Sequence, residues 1–404
     1  MDYNNREPTK WNSDTTYALG PYKLLTRSIG IWPLDHFGKV IILQVFLNSF
    51  IQCLVIIIFI DDLITKGNCG LITDTVDALS LIATSILSVC KIILPLVYKK
   101  IMYFIVNSAI EDWANVRDKK SKTIMLKYAF TGRIVFIIQM IGAYMTIVPL
   151  IFGNPPTIHK FSSDQLSDNA TMLRNIPIGP NCWISTSISM SIYFAYYGLV
   201  TVHLVILCTT YIGGDVYIFG IAMHVCGQFK LLYTDMESLD GKKNFFSLRK
   251  RINQLSQRHT YLIKLANEFE RTFNLIILLQ VAANTFIIGI SGILLLWGLK
   301  TGNSNIIIAA LIRIYLLFFQ LYIYSFIGES LSTQTRNLQL AIYNCKWYQM
   351  SPILAKDLLF IIMRTNYPFH LTAGKICNMN ISSFKDLVKM MFSYFSIIRL
   401  MFDE

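Results

Sequence analysis

The sequence predicts an all-α membrane protein: seven transmembrane helices, a cytoplasmic N-terminus, an extracellular C-terminus, and helices four to six extended into a cytoplasmic anchor layer. Three observations predict it. Hydrophobic residues make up 54% and charged residues 15% of the 404 positions, and mean hydropathy is +0.48, which leaves too little polar surface to keep such a mass soluble. Apolar stretches of about 20 residues, the length that crosses hydrocarbon as a helix, recur seven times. Lys and Arg concentrate in alternate connections, 25 against 4. Disordered, coiled-coil and collagen compositions are excluded. A net charge of +12 would suggest nucleic acid for a soluble protein. Here it tracks the loops, so no nucleic-acid partner is expected.

The spans read as 40–60, 75–98, 128–152, 184–212, 273–299, 306–327 and 380–402, within a single seven-helix domain covering 1–404. Residues 1–38 are polar and mixed in charge, without the apolar core of a signal peptide, so the first span must itself insert. That span contains Gln44, Asn48 and Gln52, and the second contains Lys91 and Pro95. Such polar residues suggest helix faces that meet other helices or water, hence a bundle in membrane lipid. The basic connections are 1–38, 99–127, 213–272 and 328–379, which places them in the cytoplasm. Seven spans then leave the C-terminus outside.

Between the spans, 213–272 and 328–365 carry apolar residues at three and four spacing among charges, for example Leu248, Ile252 and Leu255. These read as helices continuing below the bilayer, so 213–272 and 328–379 form the anchor parts. Gly213-Gly214 reads as the exit of span four. The outer loop 153–183, with Pro155, Pro156, Pro177 and Pro180, reads as irregular and suited to capping an outward-facing cavity. Asn169 begins an Asn-Ala-Thr glycosylation sequon in that loop, and a second sequon at Asn380 is expected to stay bare.

Enzyme signatures are absent: there is no His-Glu-x-x-His, Gly-x-Ser-x-Gly or P-loop. No cofactor and no metal are expected, because none of the eight cysteines form a Cys-x-x-Cys pair. Cys69 and Cys182 alone face outside, where a disulfide is one option. His203 is either a proton-linked group or a hydrogen-bonded interior residue. Lys91 and Arg313 are intramembrane charges without an assignable partner.

The last span carries Ser382, Asp386, Lys389, Ser393 and Ser396 at steps of four, three, four and three, one helical face. Phe384, Leu387, Val388, Met391, Phe392, Phe395 and Ile398 occupy the other side. The polar face is either glue between helices or a pore wall of Lys389, Ser393 and Ser396, with Ile397 and Leu400 as an apolar constriction. A second constellation lies in the outer halves of spans two, three, four and six. Span four opens with small hydroxyls, a Met and aromatics, among them Ser187, Met190, Tyr193 and Phe194. Tyr144, Met145 and Val148, Ser80 and Ala83, and Ile308, Ile312 and Tyr315 reach the same depth if the helices are adjacent. This set reads either as a pocket for small, mostly apolar molecules or as interfacial belt residues.

The C-terminal run 368–376, Pro-Phe-His-Leu-Thr-Ala-Gly-Lys-Ile, then Met-Asn-Ile-Ser-Ser-Phe at 379–384 and Phe-Ser-Tyr-Phe-Ser-Ile-Ile-Arg at 392–399, resembles the terminal signature of the insect odorant receptors. Glu111-Asp112-Trp113, Gly328-Glu329-Ser330 and Trp347 fit the same family, with wording most similar to the receptors of ants, bees and wasps. The resemblance implies an odorant-gated, non-selective cation channel in the plasma membrane of olfactory dendrites. In that family a tuning subunit joins a shared co-receptor in a heterotetramer and the seventh helices line the pore. This chain is similar to the tuning subunit, binding a small volatile ligand and passing permeating cations. The family's gate position falls on Ile397 and its filter position, usually Gln, on Leu400. A gustatory receptor is the nearest alternative, but Ser393-Tyr394 followed by Leu400 departs from the Thr-Tyr-x5-Gln-Phe ending of those proteins. A G-protein-coupled receptor would require the opposite orientation.

Overall fold

In the computed structural model, residues 11–403 are described except 36–37, 68–71, 117, 154, 156–157, 161–171, 181–182, 185–187, 243 and 368. Ten α-helices occur among them: α1 (Ser13–Ile29), α2 (Lys39–Thr65), α3 (Ile72–Val97), α4 (Lys99–Asn115), α5 (Lys119–Gly153), α6 (Met190–Glu237), α7 (Phe245–Thr301), α8 (Ser304–Asn344), α9 (Pro352–Thr365) and α10 (Ile381–Asp403). Two short antiparallel hairpins join them, β1–β2 (Ile158–Lys160 with Met172–Arg174) and β3–β4 (Thr372–Ala373 with Cys377–Asn378). Six helices, α2, α3 and α5 to α8, are long and apolar enough to cross a membrane. The seventh, α10, carries Lys385, Asp386, Lys389 and Arg399 and is less apolar than these.

Helix length separates two layers. At 1.5 Å per residue, the 48 residues of α6 and 57 of α7 extend about 72 and 86 Å, far beyond a hydrocarbon core of about 30 Å. The surplus packs as a second layer with α1, α4, α9 and the far half of α8. Its core is aromatic, with Phe219, Phe229, Phe269 and Phe273 each almost wholly buried. A smaller cluster fills the opposite end, where Val55, Phe59, Leu81, Ile147, Trp183 and Leu204 meet. α7 is central, with half of its most apolar stretch buried, whereas α5 buries 6% and leaves its side chains to lipid.

The expected exit at Gly213-Gly214 is not found: α6 runs through both glycines. They serve close packing. A Cβ on Gly213 would stand 2.6 Å from Leu25, one on Gly214 would stand 3.1 Å from Lys91, and one on Gly220 would enter the Tyr22 ring. α1 therefore docks on α6 over a glycine face, through buried Ala18, Leu19, Tyr22 and Leu25. The start of α6 also differs from the expected 184, since the helix begins at Met190.

Two helices lie where the sequence suggested connections. Asn12 caps α1 by accepting from Thr15 N at 2.8 Å, and Gly30 closes it with φ of 86°. The polar residues of the first span complete that end: Gln44 Nε2 donates to the carbonyls of Arg27 (3.3 Å) and Ser28, and Asn48 Nδ2 to Ile29 O at 3.3 Å. These are carbonyls of the last helical turn; that of Arg27 also accepts the Gly30 N–H, while those of Ser28 and Ile29 are left open by the α-helical pattern. α4 holds the Glu111-Asp112-Trp113 motif, and its role is structural. Asp112 accepts from Arg258 Nη2 at 2.6 Å and meets His224 Nε2 at 3.2 Å, while the Trp113 carbonyl accepts from Asn12 Nδ2 at 3.4 Å.

In the second layer, His259 is 5% exposed and borders clefts of about 730 and 170 Å³ between α7 and α9. Burial, aided by the Arg364 charge, lowers its pKa to about 4. The unfolded chain, with an imidazole pKa near 6.5, then binds more protons between those values. Stability should fall as pH drops from about 6.5 toward 4 and stay level above. Melting of the detergent-solubilised protein at pH 7.5 and 5.0 tests this. His259 is expected to contribute a loss on the order of 2 kcal/mol at pH 5.0, and His259→Gln should remove that contribution.

Candidate functional site

Four helices enclose a polar cluster at the depth of the bilayer. Lys91 on α3 and Asp215 on α6 form an ion pair with both side chains almost fully buried. Lys91 Nζ also donates to the Tyr211 carbonyl at 2.8 Å and lies 4.4 Å from the Tyr211 ring centroid. Asp215 accepts in addition from Gln320 Nε2 and the Tyr324 hydroxyl of α8. The Tyr211 hydroxyl accepts from Gln280 Nε2 of α7 at 2.8 Å and donates toward Asn284 Oδ1 (3.2 Å) and Gln320 Oε1 (3.1 Å). Asn284 Nδ2 closes the ring by donating to Gln320 Oε1 at 3.1 Å. A buried carboxylate at this depth is tolerated because a cation and two neutral donors surround it.

Further pairs tie α3 to its neighbours. Ser88 hydrogen-bonds Thr210, and Ser85 Oγ meets His203 Nε2 at 3.2 Å, so His203 is a bonded interior residue on its Nε2 side. Arg313 on α8 pairs with Asp77 on α3. The cations left without a partner from the sequence thus each have one. Sequence reading missed Asp215 because span four was ended at 212, three residues short of it. The i, i+4 pairs Gln280/Asn284 and Gln320/Tyr324 inside apolar helices were the available signal.

The residues expected around a ligand divide by direction. Tyr193 points inward, and Ser80, Ala83 and Tyr144 are half-buried. Ser80 Oγ donates to Val76 O at 2.7 Å, the Tyr144 hydroxyl meets Thr209 Oγ1 at 2.8 Å, and Tyr193, 1% exposed, donates to Asn175 O at 2.7 Å. Met145, Val148, Met190, Phe194, Ile308, Ile312 and Tyr315 lie on the outer surface of the single chain, Met145 and Tyr315 each 67% exposed. Helix geometry explains the split. Successive residues turn by about 100°, so Tyr144 and Met145, or Tyr193 and Phe194, cannot share one wall, while Ile308, Ile312 and Tyr315 share a face that points outward. Ser187 and Asn169, and Cys69 with Cys182, lie outside the described residues.

On α10, Lys389, Ser393, Ser396, Ile397 and Leu400 are all exposed, as are Ser382 and Asp386. Met391 is buried, and the opposite side packs on α7 and α8: Phe392 stacks on Phe318 at 6.5 Å, Phe384 meets Tyr322 at 5.8 Å, and Phe395 covers Gly292. The polar stripe therefore faces away from its own bundle. The start of α10 is held by the two family-like motifs. Asn380 Oδ1 accepts from Ser383 N at 2.7 Å, capping the helix, and Glu329 Oε2 accepts from Ile381 N at 3.4 Å. Gly374, at φ of 59°, turns the β3–β4 hairpin, donates its N–H to Asn274 O at 2.9 Å, and leaves no room for a side chain against Leu278.

Fold and site define a polytopic helical membrane protein with a sealed polar core and one helix whose polar side faces outward. Residues 71–392 match the family model described as 7tm Odorant receptor. The chain is 24% identical over 232 residues to odorant receptor 13a of Drosophila melanogaster, covering 53% of each chain. It is 23% identical over 150 residues to odorant receptor 10 of Aedes albopictus, 37% of this chain and 39% of that one. These alignments span about half or less of the relatives' length. The fold is similar to the insect olfactory receptor OR5 from Machilis hrabei in complex with eugenol, with a TM-score of 0.73 at 14% identity over 96% of this chain and 99% of that one. The chain belongs to the odorant receptor family and is a multi-pass membrane protein.

Proposed function

We propose that this chain is the tuning subunit of an odorant-gated, non-selective cation channel of the plasma membrane, assembled with a shared co-receptor in a heterotetramer. The observation that carries the reading is the outward polar face of α10. A helix at membrane depth that exposes Lys389, Ser393 and Ser396 needs water or partner subunits beside it, and a central pore supplies both. In this assembly Ile397 and Leu400 form the apolar constriction. The loop charges favour a cytoplasmic N-terminus, so the long ends of α6 to α8 form a cytoplasmic anchor.

The ligand is a small, mostly apolar volatile molecule, a class that includes the eugenol held by the Machilis receptor. Tyr193, Tyr144, Ser80 and Ala83 are the buried and half-buried candidates for its site. Ser187 completes the proposed set. Asn169 is the proposed glycan acceptor.

Whole-cell recording tests the reading with this chain alone, with an insect odorant co-receptor, and with the co-receptor alone, under a volatile panel and a G-protein blocker. Blocker-insensitive cation current that appears only on co-expression, with its own ligand profile, is the expected result. Current from this chain alone would replace the heteromer by a homomer, and dependence on G protein would overturn the channel mechanism. On the expected result, Ile397→Ala should raise ligand-independent current about tenfold by wetting the constriction.

A further inference from the structure

α8 has two working faces on nearly opposite sides, offset by two residues or about 200°. Gln320 and Tyr324 hold Asp215 in the buried polar cluster, and both are at most 5% exposed. Phe318 and Tyr322, also spaced by four, meet Phe392 and Phe384 of α10. The two pairs interleave over seven residues of one helix, about 9 Å of rise. A rotation of α8 that broke the first set would displace the second.

We infer that Gln320 and Tyr324 are positioning residues for α10: by binding Asp215 they set the rotation of α8, and α8 sets the place of α10. The inference rests on the proposed role of α10 in the pore, and it adds the element that controls it. Three observations carry it. The Asp215 carboxylate is held by Lys91, Gln320 and Tyr324, two of these donors coming from α8, so α8 cannot turn without leaving a buried charge short of donors. Asn284 Oδ1 and Nδ2 complete the ring through Tyr211 and Gln320, which fixes Gln320 to α7 as well. At the outer end of α8, Arg313 pairs with Asp77 of α3, so the helix is tied at two depths. Such a cluster has discrete bonded arrangements, the property a two-state switch needs.

Tyr324→Phe and Gln320→Met remove the bonds to Asp215 with little change in volume. Recorded with the co-receptor, each should move the ligand-independent current fraction and the half-maximal ligand concentration by about fivefold, in opposite directions. That coupled movement marks a shifted gating equilibrium. A change of ligand concentration alone would mark a binding effect and overturn the inference, as would no change in either. Ser88→Ala breaks a buried bond of the same region that does not touch α8. It should leave both readings within twofold, and an equal effect would reduce the result to general loosening and overturn the inference. Should the unsubstituted chain give no ligand-gated current, the channel reading fails by itself, and a second measurement judges the inference. With Tyr322→Cys and Phe384→Cys in membranes, a short bifunctional thiol reagent should cross-link α8 to α10. Adding Tyr324→Phe should slow the cross-link about fivefold, and an unchanged rate or no cross-link would overturn the inference.

Discussion

Lys91→Met should destabilise the folded receptor by about 3 kcal/mol, the cost of leaving a buried carboxylate without its cation. The Lys91 and Asp215 side chains are 2% and 1% exposed, and the aliphatic stem of Lys91 packs on Gly214, so methionine keeps the packing and loses the charge and the bond to the Tyr211 carbonyl. The remaining donors to Asp215, Gln320 Nε2 and the Tyr324 hydroxyl, are neutral. Their presence limits the loss to the lower part of the range for a broken buried pair. Adding Asp215→Asn removes the stranded charge while keeping an acceptor for Tyr324. The double variant should therefore recover about 1.5 kcal/mol relative to Lys91→Met. Thermal unfolding of the detergent-solubilised protein, followed by size exclusion, measures both. A double variant no more stable than the single one would show that the pair is not coupled.

Gly328→Ala should cost about 1–3 kcal/mol and displace α10. A Cβ at this position falls on the carbonyl oxygen of Met379, a backbone atom just before the cap of α10, so relief requires the two chains to part. Glu329, the next residue, accepts from Ile381 N, so the same movement breaks the clasp at the helix start. Gly289→Ala is the matched control, because nothing lies within 4 Å of the added Cβ. It should be neutral or raise stability by up to about 1 kcal/mol through helix propensity. Equal effects at the two glycines, by thermal unfolding, would show that the α8 to α10 crossing is not tight.

Legibility in the sequence differed by kind of feature. Hydropathy is summed along the chain, so the spanning helices stood out without knowledge of their neighbours. The apolar spacing of Leu248, Ile252 and Leu255 likewise belongs to α7, which runs unbroken from Phe245 to Thr301. The amphipathic α1 and α4 do not stand out in hydropathy because charges interrupt them and each, at 17 residues, falls just short of a bilayer's thickness. Gly213-Gly214 misled for a related reason. A glycine pair ends a helix or lets another helix approach, and only Leu25 and Lys91 packed against it decide which.

The sequence by itself determined the class of protein, the number of apolar spans, their continuation into a second layer, and the terminal motifs, all of which depend on order along the chain. Only the tertiary structure decided that Lys91 meets Asp215, Arg313 meets Asp77, Gln44 and Asn48 close α1, and the polar side of α10 looks outward. The physical reason is that a polar side chain in a membrane helix is satisfied by whatever lies at the same depth and azimuth on a neighbour. Depth and azimuth come from helix packing: Lys91 and Asp215, far apart in sequence, become partners because Gly214 lets α3 and α6 approach closely.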